Sequence, residues 1–237
     1  LESVTHSRST TWRATGDDSR LSFPALISIT GADHSNEDAL IEAVDGGVIE
    51  LPEVTTIRDR YMGTGPSRDR PRNDRDRSME VRASGDGSRI ELPKLESFRD
   101  EYAHGDWSEI DAVDGGTIVL GSLTTVRGAL LRGNAASAGL SLVAPTVENL
   151  THSRVEVSDA DVNFPVLANA SGTTFTNNGA DVGLDGVTTL DNATLNIDGA
   201  VTIELPSAVS ADARGRRSGS VRPFSPCTAP GRRSRRI

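Results

Sequence analysis

Cysteine, lysine and aromatic side chains are scarce in this 237-residue chain, which has one Cys, two Trp, two Tyr and five Phe. The lone Cys227 excludes a disulfide framework and a Cys-based zinc site. Lys94 is the only lysine, so a lysine nucleophile has a single position to occupy. No apolar run approaches the roughly 18 residues that a spanning helix needs, so no membrane span is expected. The residues after Leu1 do not read as a signal peptide. With so few large apolar groups, a core must be assembled from small aliphatics in thin layers.

The net charge of −9 is unevenly spread. From Asp212 to Ile237 there are eight Arg and one Asp, a balance of +7, which leaves −16 on the first 211 residues. Phosphates are repelled by such a body, so no nucleic acid is expected as a partner of the folded part.

What the chain does have is repetition. A pattern of apolar, any, apolar, Pro, any, apolar, any, any, apolar occurs at Leu21–Phe23–Pro24–Leu26–Ile29, Ile49–Leu51–Pro52–Val54–Ile57 and Ile90–Leu92–Pro93–Leu95–Phe98. Looser copies are Leu120 with Leu123 and Val126, Pro145 with Val147 and Leu150, Phe164–Pro165 with Leu167, Leu184 with Val187 and Leu190, and Leu205–Pro206 with Ala208. Taking the residue before the Pro position as anchor gives 23, 51, 92, 120, 144, 164, 184 and 205, at intervals of 28, 41, 28, 24, 20, 20 and 21. The basic period is thus about 20 residues, with insertions in the first half.

A second motif lies upstream of the anchors. Ala43-Val44-Asp45-Gly46-Gly47 returns as Ala112-Val113-Asp114-Gly115-Gly116, with looser forms at Gly16-Asp17-Asp18, Gly85-Asp86-Gly87 and Ile197-Asp198-Gly199. Asp and Gly both tolerate positive φ, so each copy predicts a tight turn. Short alternating segments precede these turns: Trp12-Arg13-Ala14, Ile41-Glu42-Ala43, Val81-Arg82-Ala83, Ile110-Asp111-Ala112, Val155-Glu156-Val157 and Leu195-Asn196-Ile197. Alternation puts their apolar side chains on one face. Pieces of three or four residues are unstable alone but bury a continuous core when stacked in register. Pro fits at a strand end, where its missing N–H breaks no ladder bond. The expected fold is all-β, a parallel β-solenoid of about eight coils over residues 1–210, followed by an Arg-rich disordered tail over 211–237.

The repeats resemble, at the level of a class, the β-solenoid repeat regions of very large bacterial surface and adhesin-like proteins. The resemblance covers about residues 1–210 and implies an extracellular or cell-surface stalk or binding surface without catalysis. The Pro-containing run also resembles the treponemal-type leucine-rich repeat, although the Ala-Phe…Cys segment of that family is absent; this leaves a protein-binding leucine-rich-repeat module as an alternative. Residues Leu1 to Arg8 match Val147 to Arg154, so the chain is expected to begin inside a repeat and to adjoin further repeats of the same kind.

The insertions follow the fourth apolar position, after Ile29, Ile57 and Phe98, and should leave one corner of the stack. Insertions on one face often form a binding face. The first, residues 30–39, carries Asp33, His34, Glu37 and Asp38; the second, 58–78, carries seven Arg and four Asp; the third, 99–109, carries Asp100, Glu101, Tyr102, His104, Asp106 and Trp107. The aromatics would stack on a sugar and the carboxylates would offer oxygen ligands to calcium, so a glycan or protein ligand is expected on this loop face. Neither an EF-hand spacing nor a nonapeptide calcium repeat is present, and no other cofactor is expected. No G-x-S-x-G, P-loop or H-E-x-x-H occurs, and no catalytic residue stands out. A parallel β-helix polysaccharide lyase or hydrolase is the enzymatic alternative, since Asp and Arg are abundant.

Overall fold

The computed structural model describes residues 2–6, 8–31, 37–59, 78–101, 107–134, 142–143, 146–158, 162–178, 182–198 and 203–212. Its described residues form strands, turns and no helix, and every strand pairing is parallel. Hence no helix among them is long and apolar enough to cross a membrane.

The strands stack into sheets in which neighbours come from successive repeats. A first sheet takes Ser3–Thr5, Ser28–Thr30, Thr56–Asp59, Ser97–Asp100, Thr125–Arg127 and Asn149–Thr151. A second and longest sheet takes Thr10–Thr15, Ala39–Val44, Met79–Ser84, Ser108–Val113, Ala129–Asn134, Arg154–Ser158, Thr174–Asn178 and Thr194–Asp198. A third takes Arg20–Ser22, Val48–Glu50, Arg89–Glu91, Thr117–Val119 and Leu142–Val143, and a further pair joins Val162–Asn163 to Val182–Gly183. Single parallel bridges, Asn149 to Asn169 to Thr189 to Ser210, extend the first sheet's pairing. Parallel sheets visited in rotation by one chain are compatible with the expected solenoid.

Register agrees with the sequence spacing. Ser28 pairs with Thr56, Thr56 with Ser97, Ser97 with Thr125 and Thr125 with Asn149. The bridges then carry the pairing through Asn169, Thr189 and Ser210. The partners therefore step along the chain by the same seven intervals as the anchors. Stacked side chains follow from this. Val4, Ile29, Ile57, Phe98, Val126 and Leu150 form one inward column, and Trp12, Ile41, Val81, Ile110, Leu131, Val155, Phe175 and Leu195 another. Apart from Val4, Trp12 and Leu195 at the ends of the stack, all of these are fully buried. Ala14, Ala43, Ala83, Ala112 and Gly133 form a third column of small residues.

Two turn types close the repeats. At the Asp-Gly motif, Asp45 and Gly46 have φ of 50° and 91°, and Asp114 and Gly115 have 52° and 88°. The Gly47 N–H donates to Val44 O at 3.0 Å and the Gly116 N–H to Val113 O at 2.9 Å. At the Pro motif, the Val54 N–H donates to Leu51 O at 3.3 Å and the Leu95 N–H to Leu92 O at 3.2 Å. Pro52 and Pro93 thus take the second position of a turn, which their fixed φ suits. Copies with Asp185 or Pro206 at that place close the same way, Val187 to Leu184 and Ala208 to Leu205.

Candidate functional site

The outward positions of the longest sheet carry most of the charge that lies in strands. Alternation turns Arg13, Glu42, Arg82, Asp111, Arg132 and Glu156 outward, one from each of six consecutive strands, and register sets them in a single column. Their signs alternate along it. Arg13 Nε lies 2.6 Å from Glu42 Oε2, Arg82 Nε 3.6 Å from Asp111 Oδ2, Arg132 Nη1 3.8 Å from Asp111 Oδ2, and Arg132 Nε 3.3 Å from Glu156 Oε2. The column then continues as Thr176 and Asn196.

Beside it, Glu80 and Glu109 face each other in register, with Leu40 before and Leu130 after. Each of Glu80, Glu109 and Asp111 can bring a carboxylate oxygen within 4.8 Å of the other two. Asp111 is 2% exposed, and its Oδ1 has no hydrogen-bond partner among the described residues. Burial pushes all three carboxyls above the ordinary range, against the pull of Arg82 on Glu80, of Arg132 on Glu109, and of both arginines on Asp111; repulsion by neighbouring acids adds to it, from Asp111 on Glu80, from Glu80 and Asp111 on Glu109, and from Asp114 and Glu156 on Asp111. Such a donor set would suit a divalent cation by its oxygen chemistry, but two guanidinium groups already supply positive charge to Asp111.

A pH dependence follows. Because the folded state binds these protons more tightly than the unfolded chain, their stabilising contribution is complete below the ordinary carboxylate pKa of about 4 and is lost as pH rises through the raised folded values. Glu109→Gln cannot ionise, so the variant is expected to melt above the wild type at pH 7 and the gap to narrow toward pH 4. A gap that is constant across that range in calorimetry would contradict this account of the cluster.

A shallow concavity lies at the far end of the same face. Arg132, Asn134, Glu156, Ser158, Thr176 and Asn178 line it, and it runs on over Asn196 and Asp198. Asn134 Oδ1 accepts from the Asp114 N–H at 3.0 Å.

Of the ten residues expected on the loop face, Asp33, His34, Tyr102, His104 and Asp106 lie outside the described residues, as do most of residues 58–78 and the tail from 213 onward. The loop feet share one corner, between the first and second sheets. Asp38 Oδ1 accepts from the Ser78 N–H at 2.9 Å, which ties the first loop to the foot of the second. Asp100 is 2% exposed and accepts from Ser108 N–H and Oγ at 3.2 and 3.0 Å, closing the third loop on itself. Glu101 pairs with Arg58. Glu37 and Trp107 are half-buried. The structure therefore gives Asp38, Asp100 and Glu101 partners within the protein. Glu80, Glu109, Asp111 and Arg132 were not among the expected site residues; the centres of the alternating triplets, read in order, are the signal that points to this column.

His6 and His152 follow equivalent positions of the first sheet, as their repeat match predicts: their N–H groups donate to Thr30 O and Ser171 O. His6 is buried against the edge of the Trp12 ring, and burial lowers its pKa.

Comparison of the chain with protein-family models, with curated proteins and with solved structures finds no match.

Proposed function

We propose that the chain is a non-catalytic structural and adhesive module of a secreted or cell-surface protein, built as a parallel β-solenoid of about eight coils of about 20 residues. The observation that carries this reading is the charge column of the longest sheet. Ion pairs join Arg13 to Glu42, Arg82 and Arg132 to Asp111, and Arg132 to Glu156, so the column balances its own charge. The concavity from Arg132 to Asp198 offers hydroxyl, amide and carboxylate groups to a ligand lying along the stack. Open and repeating, it suits contact with an extended polymer better than enclosure of a small substrate.

A glycan-cleaving enzyme is the competing reading. What favours it is the raised proton affinity of Glu80, Glu109 and Asp111 beside Arg132, an arrangement that also occurs at acid–base centres. The two readings separate in one assay. Acidic and neutral polysaccharides incubated with the protein, with and without calcium, are expected to release no reducing ends and no unsaturated products. Turnover that disappears in Asp111→Asn would overturn the proposal.

A further inference from the structure

The first sheet breaks the rule that the column from Arg13 to Glu156 obeys. The residue after its inward apolar column faces outward, and in three consecutive strands that residue is arginine: Arg58, Arg99 and Arg127. Register sets them directly above one another, with Thr30 before and Thr151 after. At the parallel-strand spacing of about 4.8 Å, adjacent guanidinium groups repel, and like charges set opposite in a sheet are destabilising. One partial remedy is present at one end, where Glu101 pairs with Arg58. Arg99 and Arg127 are exposed; Arg99 Nε donates to Ser97 Oγ at 2.8 Å, and neither is ion-paired among the described residues. Arg58 Nε is covered and has no acceptor among the described residues. On the same face, two residues earlier, Thr56, Ser97 and Thr125 add a parallel column of hydroxyls.

Three arginines stacked in one column, with a single acid paired to the first of them among the described residues, leave a strip in want of anions. We infer that Arg58, Arg99 and Arg127, with the hydroxyls of Thr56, Ser97 and Thr125, bind a linear polysaccharide that carries an anionic group on successive sugars, laid parallel to the stack. Guanidinium groups accept carboxylate and sulfate oxygens in paired hydrogen bonds, and the hydroxyls take the neighbouring sugar oxygens. The −16 on the first 211 residues confines any polyanion to the strip; nucleic acid is the less suitable one, because none of the outward residues of the described strands of this sheet is aromatic and its bases would have nothing to stack on. The inference rests on the non-catalytic reading above and names the ligand class for it.

The test is binding of the purified chain at low salt to immobilised polygalacturonate, which carries carboxylates, and to dextran sulfate, with neutral dextran and a single-stranded oligothymidine as comparisons. Wild-type protein is expected to bind at least one of the two anionic polymers, to lose that binding steeply as salt rises, and to ignore neutral dextran; which polymer it retains identifies the anion. Arg99→Thr with Arg127→Thr is expected to weaken binding at least tenfold. Arg20→Thr with Arg89→Thr removes the same charge from the third sheet and is expected to leave it within twofold. Thermal melts guard the comparison: relief of repulsion should leave the Arg99/Arg127 variant at least as stable as the wild type. Equal loss in both double variants, equal binding of neutral dextran, tighter binding of the oligothymidine, or no binding of either anionic polymer would each overturn the inference. The polymer recovered from the column is also sized, so cleavage would refute the non-catalytic reading separately from the binding result.

Discussion

Gly116→Val is expected to cost about 3 kcal/mol or more of stability, the largest effect of any single substitution in the turns. A Cβ at Gly116 would lie 2.2 Å from Ala83 O, 2.4 Å from Ala83 C and 2.8 Å from Ser84 N. All three are backbone atoms of the neighbouring strand, so no side chain can swing aside. The closeness has a cause in the turn. Asp114 and Gly115 at positive φ reverse the chain, and the Gly116 N–H bonds back to Val113 O, which folds Gly116 over Ala83. Relief would require the Met79–Ser84 and Ser108–Val113 strands to part, and they are paired from Glu80 to Ser84. Gly47 stands in the same relation to Ala14 O, at 2.2 Å, so Gly47→Val should fail in the same way. Gly121→Ala provides the contrast: its nearest neighbour, Pro93 O, is 3.2 Å away, and a cost under about 1 kcal/mol is expected. Urea denaturation of the three variants checks the ordering; Gly116→Val unfolding at the wild-type midpoint would refute the packing argument.

Phe98→Ala is the second large effect, at about 3–5 kcal/mol. Phe98 is 1% exposed and is the largest side chain in its inward column, between Ile57 and Val126. Truncation leaves a void that aliphatic neighbours held by parallel pairing on both sides can close only in part. Stacked repeats touch only their neighbours, so the damage should be local. Amide exchange is expected to quicken first in Thr56–Asp59, Ser97–Asp100 and Thr125–Arg127, while Thr174–Asn178 keeps its protection. Phe98→Leu should recover most of the loss. Uniform loss of protection along the chain would mean that the repeats do not behave as separable layers.

Much of the architecture is legible in the sequence because up to three constraints coincide within a repeat. The anchor is buried at Leu51, Leu92, Leu120, Phe164 and Leu184, the next position opens a turn that Pro favours, and in several repeats an Asp-Gly pair tolerates positive φ; together they mark corners at intervals that the strand register reproduces. The charge column was harder to see. Ala129–Asn134 follows Arg127-Gly128 without a loop and is not followed by Asp-Gly, so it lacks both marks that reveal the other alternating segments. Without Arg132 the alternation Arg13, Glu42, Arg82, Asp111, Glu156 loses its fifth member and reads as ordinary surface. Asp100 reads as a surface ligand from the sequence because composition cannot tell an acid on a loop from an acid tucked beneath it; only the inward parity of a four-residue strand turns it under Ser108. The arginine strip was hidden for a different reason: Arg58, Arg99 and Arg127 lie 41 and 28 residues apart and become neighbours only through the pairing.

The alternating column also bears on how such a chain finds its fold. Repeats this similar can pair out of order, since the apolar columns accept almost any Ile, Val or Leu. A chain that looped out the Asp111 strand would bring Arg82 against Arg132, and one that skipped Glu42 would bring Arg13 against Arg82. Every single omission among the inner members sets like on like, whereas the native order sets opposites together. The column thus works as a parity check, an error-detecting code written in charge along a stack whose hydrophobic layers alone could not count.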